Sequence, residues 1–323
     1  MTNSLFIPEP ETRMHPEERK PLPSFRLEEK KSIWAVGGGK GGTGKSFIST
    51  SLAIQLASQE GDIVMIDADL GGPNLHTFLG VKDANSDLGD FVTNKVASLK
   101  DTAVPTPFSG LKLIKGSENV LFMANLNHYK KLKLIRQIKT LEAKRIIIDI
   151  GTGSSYNSLD FFLLSNPGIL VITPEPTSIE NTYYFLKSCI VRILKLYMEY
   201  YKIQDMMKKF LEEIENNPKS IYSFFNTIIS HNKSYARLLY RALRNFTPYL
   251  VMNKVRSEKD LLLGYSVADV ARKFLAVELH FLGTIPYDER VHWSLNKFIP
   301  YLVEYPDSPV SQSIKLIVEK LAG

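Results

Sequence analysis

Residues 39–46 run Gly39-Lys40-Gly41-Gly42-Thr43-Gly44-Lys45-Ser46, which meets the G-x-x-x-x-G-K-[ST] spacing of a phosphate-binding loop. Glycines let a chain turn closely enough for successive N–H groups to point at a phosphate, and a helix starting at Lys45 would add the positive end of its dipole. In such a loop Lys45 reaches the β- and γ-phosphates, the Ser46 hydroxyl ligates Mg2+, and the run through Phe47 encloses ATP. Three acids complete the set: Asp67 and Asp69 in MIDAD, and Asp149 closing the apolar run RIIID. A carboxylate at a strand end can order the water shell of Mg2+, and another can orient an attacking water, because phosphoryl transfer needs mainly positioning and charge neutralisation. Asp149 is the expected magnesium-side acid, with Gly151-Thr152-Gly153 after it as a switch sensing the γ-phosphate. An aspartate at 67 or 69 could instead do no more than cap the turn before Gly71–Pro73. Lys40 is a second lysine that a plain phosphate loop does not require.

These groups need strands that end together. From Ser32 the apolar runs SIWAV, DIVMID, LKLIKG, RIIIDI, GILVIT, YLVMNK and HFLGTIP alternate with helical stretches that include 46–59, 130–141 and 179–187. Such alternation implies a doubly wound α/β fold whose mainly parallel sheet is covered on both faces. The loop then lies between the first strand and the first helix, and the acids lie at strand carboxyl ends, where open sheets hold ligands. Residues 32–323 read as one P-loop ATPase domain. Residues 1–31, with five prolines among mixed charges, read as an extended arm. One connection is out of proportion: about 75 residues separate GILVIT from YLVMNK, against roughly a dozen to thirty in an ordinary crossover. Apolar spacings of three and four, with a break at 216–218, make 188–247 a helical insertion within the domain.

At 323 residues and 44% hydrophobic content the chain can bury a sizeable core. Its single cysteine, Cys189, excludes a disulfide framework or a multi-cysteine metal site within one protomer and fits a reducing cytoplasm. No apolar run reaches the roughly 18 residues of a membrane span. The expected location is cytoplasmic, with peripheral attachment at the inner membrane as the alternative. The net charge is +6, and residues 187–247 account for it with 11 Lys and Arg against 5 Asp and Glu. Lys208, Lys209, Arg237, Arg241 and Arg244 there are interleaved with tyrosines and phenylalanines, a composition that suits DNA or an anionic membrane surface. An amphipathic subdomain with its aromatics inside has the same composition.

The string GKGGTGKS resembles the deviant Walker A motif of the ParA/MinD superfamily, and GILVITPEPTSIENTYYFLK is similar to a strand and helix of MinD and its flagellar relative FlhG (FleN). The resemblance covers 32–187 and 248–322 and leaves out the insertion. It implies that Lys40 crosses a dimer interface to the other subunit's nucleotide and so couples ATP binding to homodimer formation. It further implies that Asp69 positions the attacking water, with Asp67 a magnesium-side or switch residue. Asn253 in LVMNKV stands where the family places an adenine-contacting residue, and Pro286 where its backbone packs on the base; Asn253 could also be a plain strand-end residue in a turn. The implied function is slow, Mg2+-dependent ATP hydrolysis driving a bacterial regulatory switch in division, flagellar placement or partitioning, stimulated by a protein partner.

Four departures bound that resemblance. A D-Q-A-x-x-L-R activating motif is missing from residues 1–31. The C-terminal SQSIKLIVEKLAG puts Ile314, Ile317, Val318 and Leu321 on one helical face, which serves either a membrane anchor or the core. The basic residues with which ParA proteins hold DNA do not align, and the insertion has no counterpart. Other functions stay compatible with the Walker motifs. They are an ATP-bound scaffold that barely hydrolyses, a DNA-binding partition ATPase, an iron–sulfur carrier of the Mrp kind, and a tyrosine autokinase. The carrier needs bridging cysteines and the kinase a C-terminal tyrosine cluster, where only Tyr301 and Tyr305 stand.

Overall fold

All seven apolar runs become strands, and one short strand joins them: β1 (Ser32–Gly37), β2 (Ile63–Ala68), β3 (Ala103–Pro105), β4 (Leu111–Ile114), β5 (Arg145–Ile150), β6 (Gly168–Ile172), β7 (Tyr249–Val255) and β8 (His280–Pro286). The coordinates are a computed structural model that describes residues 32–69, 72–82, 86–117, 128–202, 228 and 233–322. The sheet order is β3-β4-β2-β5-β1-β6-β7-β8. Every neighbouring pair is parallel except β3 with β4. Three residues, Ala-Val-Pro, are too few to show a strand period, which is why β3 was not foreseen. Strand β1 lies between β5 and β6, so the chain leaves its carboxyl end at the point where strand order reverses, the usual position of a ligand crevice.

Side chains alternate across each strand and supply two core layers. Trp34 and Val36 of β1 face the layer built with helices Lys45–Glu60 and Pro309–Ala322. Ile33 and Ala35 face the layer under helices His128–Thr140, Tyr156–Leu164, Pro176–Tyr201, Lys233–Arg244 and Glu258–Val270.

The helix Pro176–Tyr201 opens with proline in its first turn and ends on Lys202 in the left-handed conformation. It runs 26 residues unbroken through position 188, with Cys189, Ile190, Leu194 and Met198 buried. The insertion therefore begins as the continuation of a core helix. Its described tyrosines divide: Tyr197 and Tyr201 are buried, Tyr235 and Tyr240 pack partly against the core, and Tyr200 is exposed. The arm 1–31, the break at 216–218, and Lys208 and Lys209 lie outside the described residues. In the C-terminal helix Ile314, Ile317 and Val318 are buried beside the phosphate-loop helix, and Leu321 packs partly against them. That face belongs to the core. No described helix is long and apolar enough to cross a membrane.

Candidate functional site

The loop is shaped by three hydrogen bonds from side chains to its carbonyls. Asn253 Nδ2 donates to the Thr43 carbonyl (2.8 Å), Lys254 Nζ to that of Gly42 (2.8 Å), and Lys45 Nζ to that of Lys40 (2.8 Å). In a planar trans peptide the N–H points opposite to the C=O. Holding the Thr43 and Gly42 oxygens toward β7 therefore turns the N–H groups of Gly44 and Thr43 the other way, as a cradle for anionic oxygens requires. Consecutive residues of a strand ordinarily point to opposite faces. Asn253 and Lys254 both reach the loop because β7 is bulged between Met252 and Val255 and Lys254 has φ 59°. Gly44 caps the helix start at φ 93°, and a Cβ there would overlap the Asn253 amide. The Phe47 ring packs in the core against Tyr301, so its contribution to the loop is its first-turn N–H.

Asp67 and Asp149 are direct register partners across β2 and β5, and each is only 1% exposed. Burial pushes the Asp149 carboxyl up to about 7, with the Asp67 charge adding to the effect, and pushes Asp67 up to about 6. Asp67 accepts the N–H groups of Leu75 (3.0 Å) and Asp69 (3.2 Å), so it does pin the turn that follows β2. Asp149 Oδ1 has no hydrogen-bond partner, although the Ser46 and Ser49 hydroxyls engage the carboxylate. Two adjoining buried carboxylates, one with an orphaned oxygen beside a hydroxyl, fit a hard divalent cation such as Mg2+. Asp69 lies against the Gly151-Thr152-Gly153 turn, where a Cβ on Gly151 would overlap its carboxylate. Lys45 is 6% exposed; burial lowers its pKa, and the charges of Asp149 and Asp69 oppose that shift.

Lys40 behaves differently from Lys45. Its ammonium leaves the loop, forms an ion pair with Glu175, and donates to Thr177 Oγ1 (2.8 Å). Lys40 holds the Glu175 carboxyl below its usual value. Sequence reasoning missed Glu175, Thr177 and Lys254. The signal for Glu175 was an acid three residues past the end of β6, on the same carboxyl edge. Pro286 ends β8 opposite Val255, three strands out from β1 along that edge. Just beyond it Arg256 stacks on the Tyr287 ring at 3.7 Å, and Arg290 (2.6 Å) and the Tyr301 hydroxyl (2.8 Å) clamp Asp288.

A phosphate cradle, a buried acid pair beside a serine hydroxyl, and a third acid against a glycine turn define a P-loop nucleotide-binding protein. The chain belongs to the CobQ/CobB/MinD/ParA nucleotide-binding domain family, whose model matches residues 34–301. Among its relatives, the antiactivator FleN of Pseudomonas aeruginosa is 23% identical over 291 residues, which cover 90% of this chain and 85% of that protein. An iron–sulfur cluster carrier protein of Synechocystis is 24% identical over 314 residues, covering 95% and 74%. In fold the chain is similar to the septum site-determining protein MinD complexed with Mg-ADP from Pyrococcus horikoshii, at TM-score 0.62 and 21% identity over 91% of this chain and 98% of that one. It is also similar to a ParA family ATPase from Chlorobium tepidum, at TM-score 0.60 and 18% identity over 92% and 99%.

Proposed function

We propose that this protein is an ATP-operated dimerising switch of the MinD/FleN kind, which hydrolyses ATP slowly and is triggered by a protein partner. The observation that carries the reading is the division of labour between two lysines in one loop. Lys45 is buried and turned into its own cradle, while Lys40 is turned out of it and held by Glu175 and Thr177. A lysine stored at the rim is placed to be handed to a second protomer.

In this mechanism the loop N–H groups and Lys45 hold the phosphates. Ser46, Asp149 and Asp67 would hold Mg2+, whose charge would offset that of the β- and γ-phosphate oxygens. Asp69 positions the water. Asn253 keeps the cradle in shape, and with Pro286 it borders the base. Lys40 leaves Glu175 for the partner's nucleotide, and loss of the γ-phosphate returns it. An iron–sulfur carrier role is disfavoured because Cys189 is fully buried in the core, where no cluster bridging two protomers can reach it.

Size-exclusion chromatography with a non-hydrolysable ATP analogue and Mg2+ tests the proposal. Wild type should elute as a dimer, and Lys40→Ala as a monomer that still binds nucleotide. An undiminished Lys40→Ala dimer would remove the proposed role of this residue.

A further inference from the structure

The charge of the chain is divided unevenly between the two sides of the sheet. Helices Lys45–Glu60 and Pro309–Ala322 together carry three Lys or Arg and two Glu. On the other side, His128–Thr140 carries five Lys or Arg and no acid, Lys233–Arg244 four and none, Pro176–Tyr201 three against two, and Glu258–Val270 one against three, so the excess lies on the first three helices. The one acid of helix Tyr156–Leu164, Asp160, is held by Lys131 and Arg192. The basic segment seen in the sequence is thus half of a larger face, to which the distant helix His128–Thr140 also belongs.

Helix Lys233–Arg244 shows most plainly which cations face outward. Ala236, Leu239, Ala242 and Leu243 are buried and fix which side points outward. The outward ridge is Lys233, Arg237, Arg241 and Arg244, all exposed, at successive spacings of four, four and three residues. Such spacing aligns four cations along about 16 Å of one helix side. None of them forms an ion pair with an acid among the described residues. Like charges at this spacing repel and weaken a helix, so among the described residues nothing in the fold repays the ridge. Arg241 acts electrostatically on Tyr201, which joins the ridge to the end of the long helix and, one to two turns back, to Lys195 and the Tyr156 ring.

The uncharged side chains decide what kind of anion fits. On the three basic helices and Tyr156–Leu164 the exposed large hydrophobic residues are Tyr129, Tyr156, Tyr184 and Tyr200, all tyrosines; the exposed aliphatics of this side, Leu261, Leu262 and Val270, lie on the acidic helix Glu258–Val270. A helix lying in a membrane inserts an apolar side, and in helix Lys233–Arg244 that side is committed to the core. A straight cationic ridge with amphipathic aromatics nearby matches a row of evenly spaced anions that stay in water. We propose that this face, centred on Lys233, Arg237, Arg241 and Arg244, binds the phosphate backbone of a nucleic acid. None of these residues belongs to the nucleotide site, and the inference stands or falls apart from the switch.

Fluorescence anisotropy of the full chain with a labelled random-sequence 30-mer, duplex in one arm and single-stranded in the other, tests it over a salt series. The variant Arg237→Gln/Arg241→Gln/Arg244→Gln should bind at least about tenfold more weakly at ~0.1 M salt, and its log–log salt slope should be shallower by about 3. The matching triple Arg→Lys variant keeps the point charges and should bind within about threefold of wild type. Thermal unfolding of the glutamine variant should match or exceed wild type, because like-charge repulsion has been removed. The proposal is overturned if wild type binds neither arm at low salt, or if the glutamine variant keeps the wild-type affinity and slope. It is equally overturned if phosphatidylserine vesicles capture the protein and neither nucleic acid competes.

Discussion

The carboxyl edge of the sheet and the basic helical face both depend on lysine and arginine, and use them in opposite ways. Around the phosphate loop the lysines are already bonded to oxygens: Lys45 to the Lys40 carbonyl, Lys254 to that of Gly42, and Lys40 to Glu175. On the face, Lys233, Arg237, Arg241 and Arg244 stand in line and none is paired with a described acid. Partnered cations fix a geometry and make a site selective for one ligand shape. Unpartnered ones create a field, which attracts polyanions with little regard to sequence and weakens with salt. The first arrangement is what a nucleotide switch needs, and the second is what a backbone-tracking surface needs.

The largest expected effect separates the two regions outright. Lys45→Ala removes the buried cation from the cradle and should lower ATP affinity at least about 100-fold by isothermal titration calorimetry. Nucleic-acid binding should be unchanged; loss of both would mean that the regions are not independent. Next comes the acid pair in the nucleotide-free protein. Asp149 and Asp67 have carboxyls raised to about 7 and about 6, above the value near 4 of an unfolded chain. Their contribution to stability is therefore full below that unfolded value and is lost as pH rises through the folded values. Thermal unfolding should show a less stable apo protein at pH 8 than at pH 5. Asp149→Asn should flatten that dependence and stabilise the apo protein at pH 8 by about 2–4 kcal/mol.

Smaller effects sharpen the picture of the edge. Asn253→Ala frees the Thr43 carbonyl and should weaken ATP binding roughly tenfold with little change in fold. Glu175→Gln loosens the tether on Lys40 and should favour the ATP-dependent dimer within about fivefold, more at low salt than at high, because the pair is partly exposed. Sedimentation at two ionic strengths reads this, and an equal shift at both would argue against an electrostatic tether.

Much of the fold was legible because the information is local. Apolar runs announced seven strands, and the glycine–lysine–serine spacing announced the loop. What escaped depends on contacts between distant segments. The Asn253–Lys254 bulge, which aims two consecutive side chains at one loop, leaves no mark in a strand pattern. Glu175 reads as a helix-start acid until the sheet brings it beside Lys40. Counting charge by segment found the basic insertion and missed His128–Thr140, because only sheet topology puts that helix on the same face. Phe47 reads as part of the nucleotide loop, yet its ring points into the core, since the face of a helix start is set by its packing layer. The C-terminal apolar stripe fitted an anchor as well as a core, and burial of Ile314, Ile317 and Val318 decided between them.

The switch itself is tested most directly by following oligomeric state and phosphate release together in wild type and Asp69→Ala, each supplied with ATP and Mg2+. Wild type should dimerise, release phosphate and return to monomer as ATP is exhausted, while Asp69→Ala should persist as a nucleotide-loaded dimer without releasing phosphate. Monomers throughout in both proteins, with no magnesium-dependent phosphate from wild type, would contradict the account.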